Sequence, residues 1–136
     1  EGFVETLWGR KRYMPELQAS NRMLKAAGER AAVNMPVQGS AADMIKKAMV
    51  EIGRELTMHN GQLKIKNKNS PLSIVNCQLI LQVHDELLFE CDPQSVNKIA
   101  EMVKEKMENA LKLSVPVVVD LKVGPNWGEM TKLPSS

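Results

Sequence analysis

The sequence has few of the residues that build metal clusters or disulfide frameworks. It contains two cysteines and two histidines among 136 residues, and their spacing fits no zinc site. Cys77 and Cys91 lie in apolar, strand-like surroundings, so we expect buried, reduced thiols and an intracellular protein. Long apolar runs are also missing, since none approaches the roughly 18 residues that span a bilayer, and no signal-peptide pattern opens the chain. No membrane partner is therefore expected.

Neither sign of charge is in large excess, but the charges are unevenly distributed. The formal net charge is +2. Residues 1–70 contain 12 Lys and Arg against 7 Asp and Glu, whereas residues 71–136 contain 6 against 9. This division suits a protein that holds a polyanion with one part and metal ions with another, although scattered solvated charge would give the same counts. The chain starts with Glu1 rather than Met, so we expect a piece of a longer protein.

The first half of the chain predicts a hairpin followed by helices. The opening stretch FVETLWGRKRYMP predicts a β-hairpin that turns at Gly9. A helical pattern rich in alanine begins near Ser20. Pro36 lacks the N–H that a helix uses and crowds the preceding turn, so we expect the helix to kink or stop there. Ser40 and Asp43 then resemble a capping box at the start of a second helix. The apolar stripe of that helix consists of Ile45, Ala48, Met49, Ile52 and Leu56.

The second half predicts a hairpin, a helix and a strand. Residues 59–73 are polar and interrupted by Gly and Pro, which indicates an exposed loop. The arms IVNCQLILQV and ELLFEC predict the two strands of a hairpin. Asp92 and Pro93 predict the start of a long amphipathic helix that ends near Leu113, and VPVVVDLKVG predicts a final strand. We therefore expect an α+β fold, an antiparallel sheet with helices packed on it.

Three ionisable residues interrupt the predicted hairpin at its turn, namely His84, Asp85 and Glu86. Two carboxylates at a tight turn raise the local negative potential, and hard cations such as Mg²⁺ are bound by carboxylate oxygens. The alternative is an ordinary turn, because Asp is common in turns and Glu86 would then be a solvated strand end. The long apolar arms on both sides would hold the turn rigidly, which favours a functional site.

A second group of polar residues recurs at helical spacing. Arg30, Asn34 and Gln38 are four residues apart, so a continuous helix would align them on one face. Their side chains offer hydrogen bonds suited to the acceptors of the DNA minor groove, which are similar for every base pair. An ordinary solvated helix face is the alternative. The basic run Arg10–Arg12 would suit phosphate groups without sequence preference.

Four stretches resemble the C-terminal part of family A DNA polymerases, the DNA polymerase I type. They are GFVETLWGRKRYMPEL, AAGERAAVNMPVQGSAADMIKKAM, QVHDELLFE and LSVPVVVDLKVGPNWGE. They occur in the family's order and cover nearly the whole chain, and the pairing of ERAAVNMPVQGSAAD with QVHDEL is very specific. The main departure is a longer loop around residues 60–75. The resemblance implies one C-terminal polymerase segment, with the end of the fingers and an entry hairpin in residues 1–36 and the palm in residues 37–136.

The resemblance also implies roles for the turn residues. Asp85 corresponds to the metal-binding aspartate of the family's motif C, Glu86 to its supporting acidic neighbour, and His84 to a residue near the primer terminus. The implied reaction is template-directed nucleotidyl transfer from a deoxynucleoside triphosphate to a primer 3′-hydroxyl. It uses two Mg²⁺ ions in the intact enzyme, one acting on the hydroxyl and one on the triphosphate.

Four further residues are implied to contact primer–template DNA. Arg30, Asn34 and Gln38 correspond to positions that face the duplex, and Gln38 is similar to a residue that contacts the minor groove behind the active site. Arg12 is similar to a residue near the template backbone. The resemblance further implies a parent protein that is monomeric and acts in DNA replication or repair, in the cytoplasm at the nucleoid of a bacterium or in an organelle.

Part of the family's catalytic apparatus is missing from the sequence. The other metal-bridging aspartate of the family lies in a motif of the DYSQIELR type, and neither that motif nor the nucleotide-binding fingers helix occurs here. We therefore expect a fragment that folds at least in part and does not polymerise by itself. Two alternatives stay open. One is a module that binds duplex DNA without catalysis, and the other is a two-metal nuclease that uses Asp85 and Glu86.

Overall fold

A computed structural model describes residues 2–59 and 77–133. The predicted exposed loop falls mainly on residues outside these ranges. The chain divides into two compact units, Glu1–Lys46 and Lys47–Ser136, so the proposed boundary between fingers and palm after residue 36 stays a prediction. In the described part of the chain, no helix has the length and apolar character needed to cross a membrane.

The described strands form hairpins. The elements in chain order are β1 (Phe3–Glu5), β2 (Lys11–Tyr13), a 3-10 turn (Pro15–Gln18), α1 (Arg22–His59), β3 (Cys77–Val83), β4 (Glu86–Cys91), a second 3-10 turn (Pro93–Ser95), α2 (Val96–Glu108), β5 (Lys122–Val123) and β6 (Thr131–Lys132). Within the described ranges, the strands pair as three two-stranded antiparallel sheets, β1–β2, β3–β4 and β5–β6. The predicted α+β class is confirmed, and the antiparallel strands are distributed over three hairpins.

The first unit opens with the predicted hairpin. Phe3 pairs with Tyr13 across β1 and β2, and their rings meet edge to face with centroids 5.9 Å apart. Gly9 has φ 75° at the turn, a left-handed conformation that glycine adopts without steric cost. The hairpin and its turn at Gly9 are therefore confirmed.

Helix α1 is continuous, so the expectation of a new helix after the proline is wrong. The helix starts at the Asn21 side chain, whose Oδ1 accepts hydrogen bonds from the backbone N–H groups of the second and third residues that follow. Pro36 lies inside the helix. Ser40 and Asp43 are buried in the middle of the helix instead of capping a start. Contacts with the hairpin hold this part of the helix, which offsets the hydrogen bond that proline removes.

The second unit buries the predicted apolar stripes. Its buried apolar residues include Ala48, Ile52 and Leu56 from α1, Ile99 and Val103 from α2, and Cys77, Ala110 and Leu111. An ion pair joins the two helices, with Lys106 Nζ 3.3 Å from Glu55 Oε1. These side chains confirm that the stripe of α1 and the amphipathic pattern of α2 face a core.

Two predicted elements are shorter in the structure. Helix α2 ends at Glu108 rather than near Leu113. Of the predicted strand VPVVVDLKVG, only Lys122–Val123 forms a strand, namely β5. The Val119 N–H donates to the Glu108 Oε1 at 3.0 Å. A backbone N–H that is bonded to a side chain is not available for a strand ladder, so alternating valines were not sufficient to form a strand there.

Candidate functional site

The hairpin tip, defined as His84, Asp85 and Glu86, is built on a two-residue turn. Val83 pairs with Glu86, which leaves His84 and Asp85 as the turn residues. His84 has φ 51°, a left-handed conformation that is uncommon for a residue with a side chain and costs about 1 kcal/mol. Gln82 Nε2 donates a hydrogen bond to the His84 carbonyl oxygen at 2.6 Å. The paired arms and this hydrogen bond therefore support the turn.

A β-bulge near the open end of this hairpin brings the two cysteines together. The register shifts between Leu79 and Leu81, which makes Ile80 the extra residue. Because of this shift Cys77 lies directly opposite Cys91, with Cα atoms 4.2 Å apart, and a disulfide joins them. The expectation of reduced thiols is wrong, since cysteines 14 positions apart in sequence become neighbours across the strands. Reduced thiols therefore no longer support an intracellular location, which stays a prediction.

The hairpin tip offers oxygen ligands to a metal ion, but only part of a ligand set. His84, Asp85 and Glu86 are all exposed. Across residues 2–59 and 77–133, no group of three or more His, Cys, Asp or Glu side chains is arranged to hold a metal ion. Carboxylate oxygens fit Mg²⁺, which takes six ligands in near-octahedral geometry and usually keeps several waters. Asp85 can therefore supply one protein ligand of a site that needs further ligands.

The polar stripe of α1 is now placed on one continuous helix. Arg30, Asn34 and Gln38 are all exposed. At about 100° per residue, positions four apart differ by about 40° around the axis, so the three side chains lie within roughly 80° of one another. Arg30 and Asn34 also line an open depression of about 370 Å³ together with Glu29 and Val33. The helix therefore exposes these three polar side chains together with Val33 and Val37, and the role of the three polar residues stays a prediction.

The remaining predicted DNA-contact residue is Arg12 on β2. It is exposed and pairs in register with Val4, so it lies on the face of the hairpin opposite to the Phe3–Tyr13 pair. Arg12 belongs to the first unit with the polar stripe, whereas the hairpin tip belongs to the second unit.

A partly buried polar cluster, which sequence reasoning missed, joins the first hairpin to helix α1. We call it the hairpin–helix cluster, and its members are Thr6, Arg10, Gly39, Ser40 and Asp43. Arg10 Nε donates to Asp43 Oδ1 at 2.7 Å, and Arg10 Nη2 donates to the Gly39 carbonyl oxygen at 3.1 Å. The backbone N–H of Arg10 donates to Thr6 Oγ1 at 3.1 Å. One guanidinium thus fixes a side chain and a backbone group of the helix at the same time.

Ser40 provides the second connection within this cluster. Its hydroxyl oxygen accepts a hydrogen bond from the Leu7 N–H at 2.9 Å, and its hydroxyl donates to the Pro36 carbonyl oxygen. Ser40 is 6% exposed, so these partners replace water for a buried hydroxyl. The serine therefore links the hairpin to the helical turn that contains the proline.

The charge of Asp43 is stabilised by this arrangement. Burial raises the pKa of a carboxyl, but hydrogen bonds from Thr6 and Arg10 and the positive charges of Arg10 and Lys46 outweigh it and hold the pKa of Asp43 below its usual value. The sequence assigned Arg10 to phosphate binding and Asp43 to a capping box. These two residues are 33 positions apart, and no local pattern indicates that they pair.

Comparison with known proteins identifies the family. The sequence matches DNA polymerase family A over residues 1–129. The chain belongs to DNA polymerase family A. It is 41% identical to DNA polymerase I of Deinococcus radiodurans over 126 residues, which is 93% of this chain and 12% of that protein. It is 44% identical over 128 residues to DNA polymerase I of Caldicellulosiruptor bescii, which is 94% of this chain and 13% of that protein.

A solved structure of the same family shares the fold. It is described as the POL domain of Pol1 from M. smegmatis in complex with DNA primer-template and dNTP. The superposition has a TM-score of 0.71 at 41% sequence identity, and it covers 85% of this chain and 18% of that one. This family A chain thus spans about an eighth of the length of the curated relatives that it matches.

Proposed function

We propose that this chain is part of a DNA-directed DNA polymerase that adds deoxynucleotides to a primer 3′-hydroxyl. The observation that carries the proposal is the hairpin tip, an exposed pair of carboxylates at a two-residue turn between paired strands in a chain of family A. The related Pol1 structure contains primer-template DNA and dNTP, which supports DNA and deoxynucleoside triphosphates as the partners. A location at the bacterial nucleoid or in an organelle would follow from this role.

Each residue of the hairpin tip has its own role in the proposed reaction. Asp85 holds metal at the reacting atoms and Glu86 supports it, because hard carboxylate oxygens suit Mg²⁺. Two Mg²⁺ ions, when bound in the intact enzyme, would stabilise negative charge on the primer hydroxyl and the triphosphate. His84 contacts the primer terminus. The turn positions these groups rigidly, and positioning is the main contribution that a protein makes to phosphoryl transfer.

The stripe of α1 binds the product of the reaction. Arg30, Asn34 and Gln38 donate hydrogen bonds to the primer–template duplex, and Gln38 contacts acceptors in the minor groove that are common to all base pairs. Arg12 contacts a phosphate of the template, which positions DNA without sequence preference. A polymerase that must bind every sequence requires contacts of this kind.

The decisive experiment removes the metal ligand in the full-length polymerase that contains this segment. Asp85→Ala is expected to lower the rate of primer extension by several orders of magnitude, because a charged ligand at the reacting atoms is lost. Glu86→Gln is expected to have a smaller effect. Glu90→Gln is the matched control, since this carboxylate is exposed on the same strand but distant from the turn. Near-normal extension by Asp85→Ala, with the fold intact by circular dichroism, would refute the metal role.

A second candidate applies to the segment on its own. Because the described residues do not complete a metal site while the polar stripe of α1 is exposed, the isolated segment would act as a duplex DNA-binding module without catalysis. Anisotropy titrations with duplex DNA at several salt concentrations test this candidate. The absence of binding even at low salt would contradict it.

A further inference from the structure

We propose that Arg10 and Asp43 are positioning residues that hold the Gln38 side of helix α1 in the orientation that contacts duplex DNA. This inference rests on the proposed function, and it assigns a role to the hairpin–helix cluster. Arg10 is the central member, since it is bonded to the side chain of Asp43 and to the Gly39 carbonyl oxygen.

The hairpin–helix cluster contacts α1 on the side of the helix opposite to Gln38, the proposed DNA-binding residue. Gly39 and Ser40 follow Gln38 in sequence, and Asp43 is one turn further on. At about 100° per residue, these three positions are rotated by roughly 100 to 200° from Gln38 around the helix axis. Gln38 is exposed, whereas Ser40 and Asp43 are buried. The hairpin therefore holds the back of the helical turn that presents Gln38 at its front.

The cluster contacts α1 within a few residues of Pro36. Pro36 lies inside α1 and removes one backbone hydrogen bond, which leaves the neighbouring turns less rigid. Ser40 bonds both the Pro36 carbonyl oxygen and the Leu7 N–H. The Leu7–Ser40 and Arg10–Gly39 hydrogen bonds therefore support the helix next to the proline and within one turn of Gln38.

Two nitrogen atoms of the Arg10 guanidinium are hydrogen-bonded to the protein, although the side chain is 48% exposed. Its Nε and Nη2 are both engaged by α1, and its partner Asp43 is a buried anion that needs this counterion. A phosphate contact and a positioning role therefore make different predictions. Removal of a phosphate contact lowers the slope of log K against log salt by about one. Removal of a positioning residue leaves this slope nearly unchanged.

The test is a double-mutant cycle in the full-length polymerase, with the dissociation constant for primer–template DNA measured by anisotropy at several salt concentrations. Gln38→Ala is expected to weaken binding about tenfold. In the Arg10→Ala background the same substitution is expected to cost less than about twofold, because Gln38 is no longer correctly placed. The slope of log K against log salt should be unchanged by Arg10→Ala and reduced by about one by Arg12→Ala.

Lys11→Ala is the matched control. The Lys11 side chain is 48% exposed, as is that of Arg10, but its ion pair with Glu5 lies within the hairpin. Any effect of Lys11→Ala should add to that of Gln38→Ala. If Arg10→Ala does not fold, Arg10→Lys is measured instead, since lysine keeps the charge but lacks the planar fork that bonds both partners, and a smaller loss of coupling is expected.

The outcomes separate this inference from the proposed function. If Gln38→Ala weakens DNA binding by the same factor in the wild type and in the Arg10→Ala background, the positioning role is overturned. It is also overturned if Arg10→Ala lowers the slope of log K against log salt as much as Arg12→Ala does. A Gln38→Ala variant that binds DNA normally would overturn both the DNA contact and the inference. The role of Asp85 in catalysis is judged independently by primer extension.

Discussion

At the scale of single residues, Gly39 shows how closely the first hairpin approaches helix α1. A Cβ atom added to Gly39 would lie 2.7 Å from Thr6 Cγ2, whereas one added to Gly53 in the same helix would meet no atom of the described residues within 4 Å. Glycine lowers helix stability relative to alanine. The lack of a side chain at position 39 therefore allows the close contact with the hairpin, whereas no contact within residues 2–59 and 77–133 requires glycine at position 53.

Gly39→Ala is expected to destabilise the first unit by about 1–3 kcal/mol, because the new methyl group overpacks the contact with Thr6. Gly53→Ala is the matched control and is expected to stabilise the helix by about 0.4–1 kcal/mol. Hydrogen–deuterium exchange of the helix in the intact protein measures both effects locally. Slower exchange around residue 39 in Gly39→Ala would contradict the close approach seen here.

A second residue-scale prediction concerns the pH dependence of Asp43. Burial by itself would raise the pKa of Asp43. Hydrogen bonds from Thr6 and Arg10 and the positive charge of Arg10 outweigh this effect and hold the pKa in the folded protein below the usual 3.8. The stabilisation is therefore complete above the usual pKa and is lost as pH falls through the lower, folded pKa. Asp43→Asn should lower the melting temperature near neutral pH, and the difference from wild type should shrink below about pH 4.

Asp120→Asn is the control for this pH experiment. A hydrogen bond and charge from Lys132 also lower the pKa of Asp120, but that pair is 62–66% exposed. Water and salt screen such a pair, so its small contribution should disappear at high salt while that of Asp43 persists. Equal salt sensitivity of the two variants would contradict shielding of the Asp43 carboxylate by burial.

At the scale of elements, the β3–β4 hairpin combines a fixed turn with a covalent link at its open end. The disulfide closes the chain over a sequence separation of 14, and a loop of that size stabilises the folded state by about 3 kcal/mol in the chain-entropy account. The link between Cys77 and Cys91 and the turn at His84 constrain opposite ends of the same two strands. Both favour a rigid support for Asp85.

Peptide mapping of the intact protein without reductant is expected to find Cys77 and Cys91 in one linked peptide. Addition of dithiothreitol should speed hydrogen exchange in β3 of the wild type, because the strands lose their covalent link. Cys91→Ser is the control, in which the reductant should change nothing. Separate peptides with free thiols before reduction would exclude the disulfide. A hydrogen exchange rate in wild-type β3 that is the same with and without dithiothreitol would also exclude it.

At the scale of the whole molecule, local sequence signals predicted most elements and long-range contacts decided the rest. The turn at His84 and Asp85 was predictable because apolar arms flank it. The course of α1 was not, since the contacts that carry it through Pro36 come from a hairpin about 30 residues away. The cysteine link depends on a bulge, and a one-residue shift in register has no sequence signature here.

The last prediction concerns what the segment does alone. Residues 1–136, prepared as an isolated chain, are expected to bind primer–template DNA weakly and to give no primer extension with Mg²⁺ and deoxynucleoside triphosphates. Asp85 is one carboxylate ligand, and two-metal catalysis requires ligands that bridge both ions. The binding should weaken as salt rises, and Arg12→Ala should reduce the slope of log K against log salt by about one. Robust synthesis by the isolated chain would show that it contains a complete active site, and binding that does not change with salt would exclude a phosphate contact by Arg12.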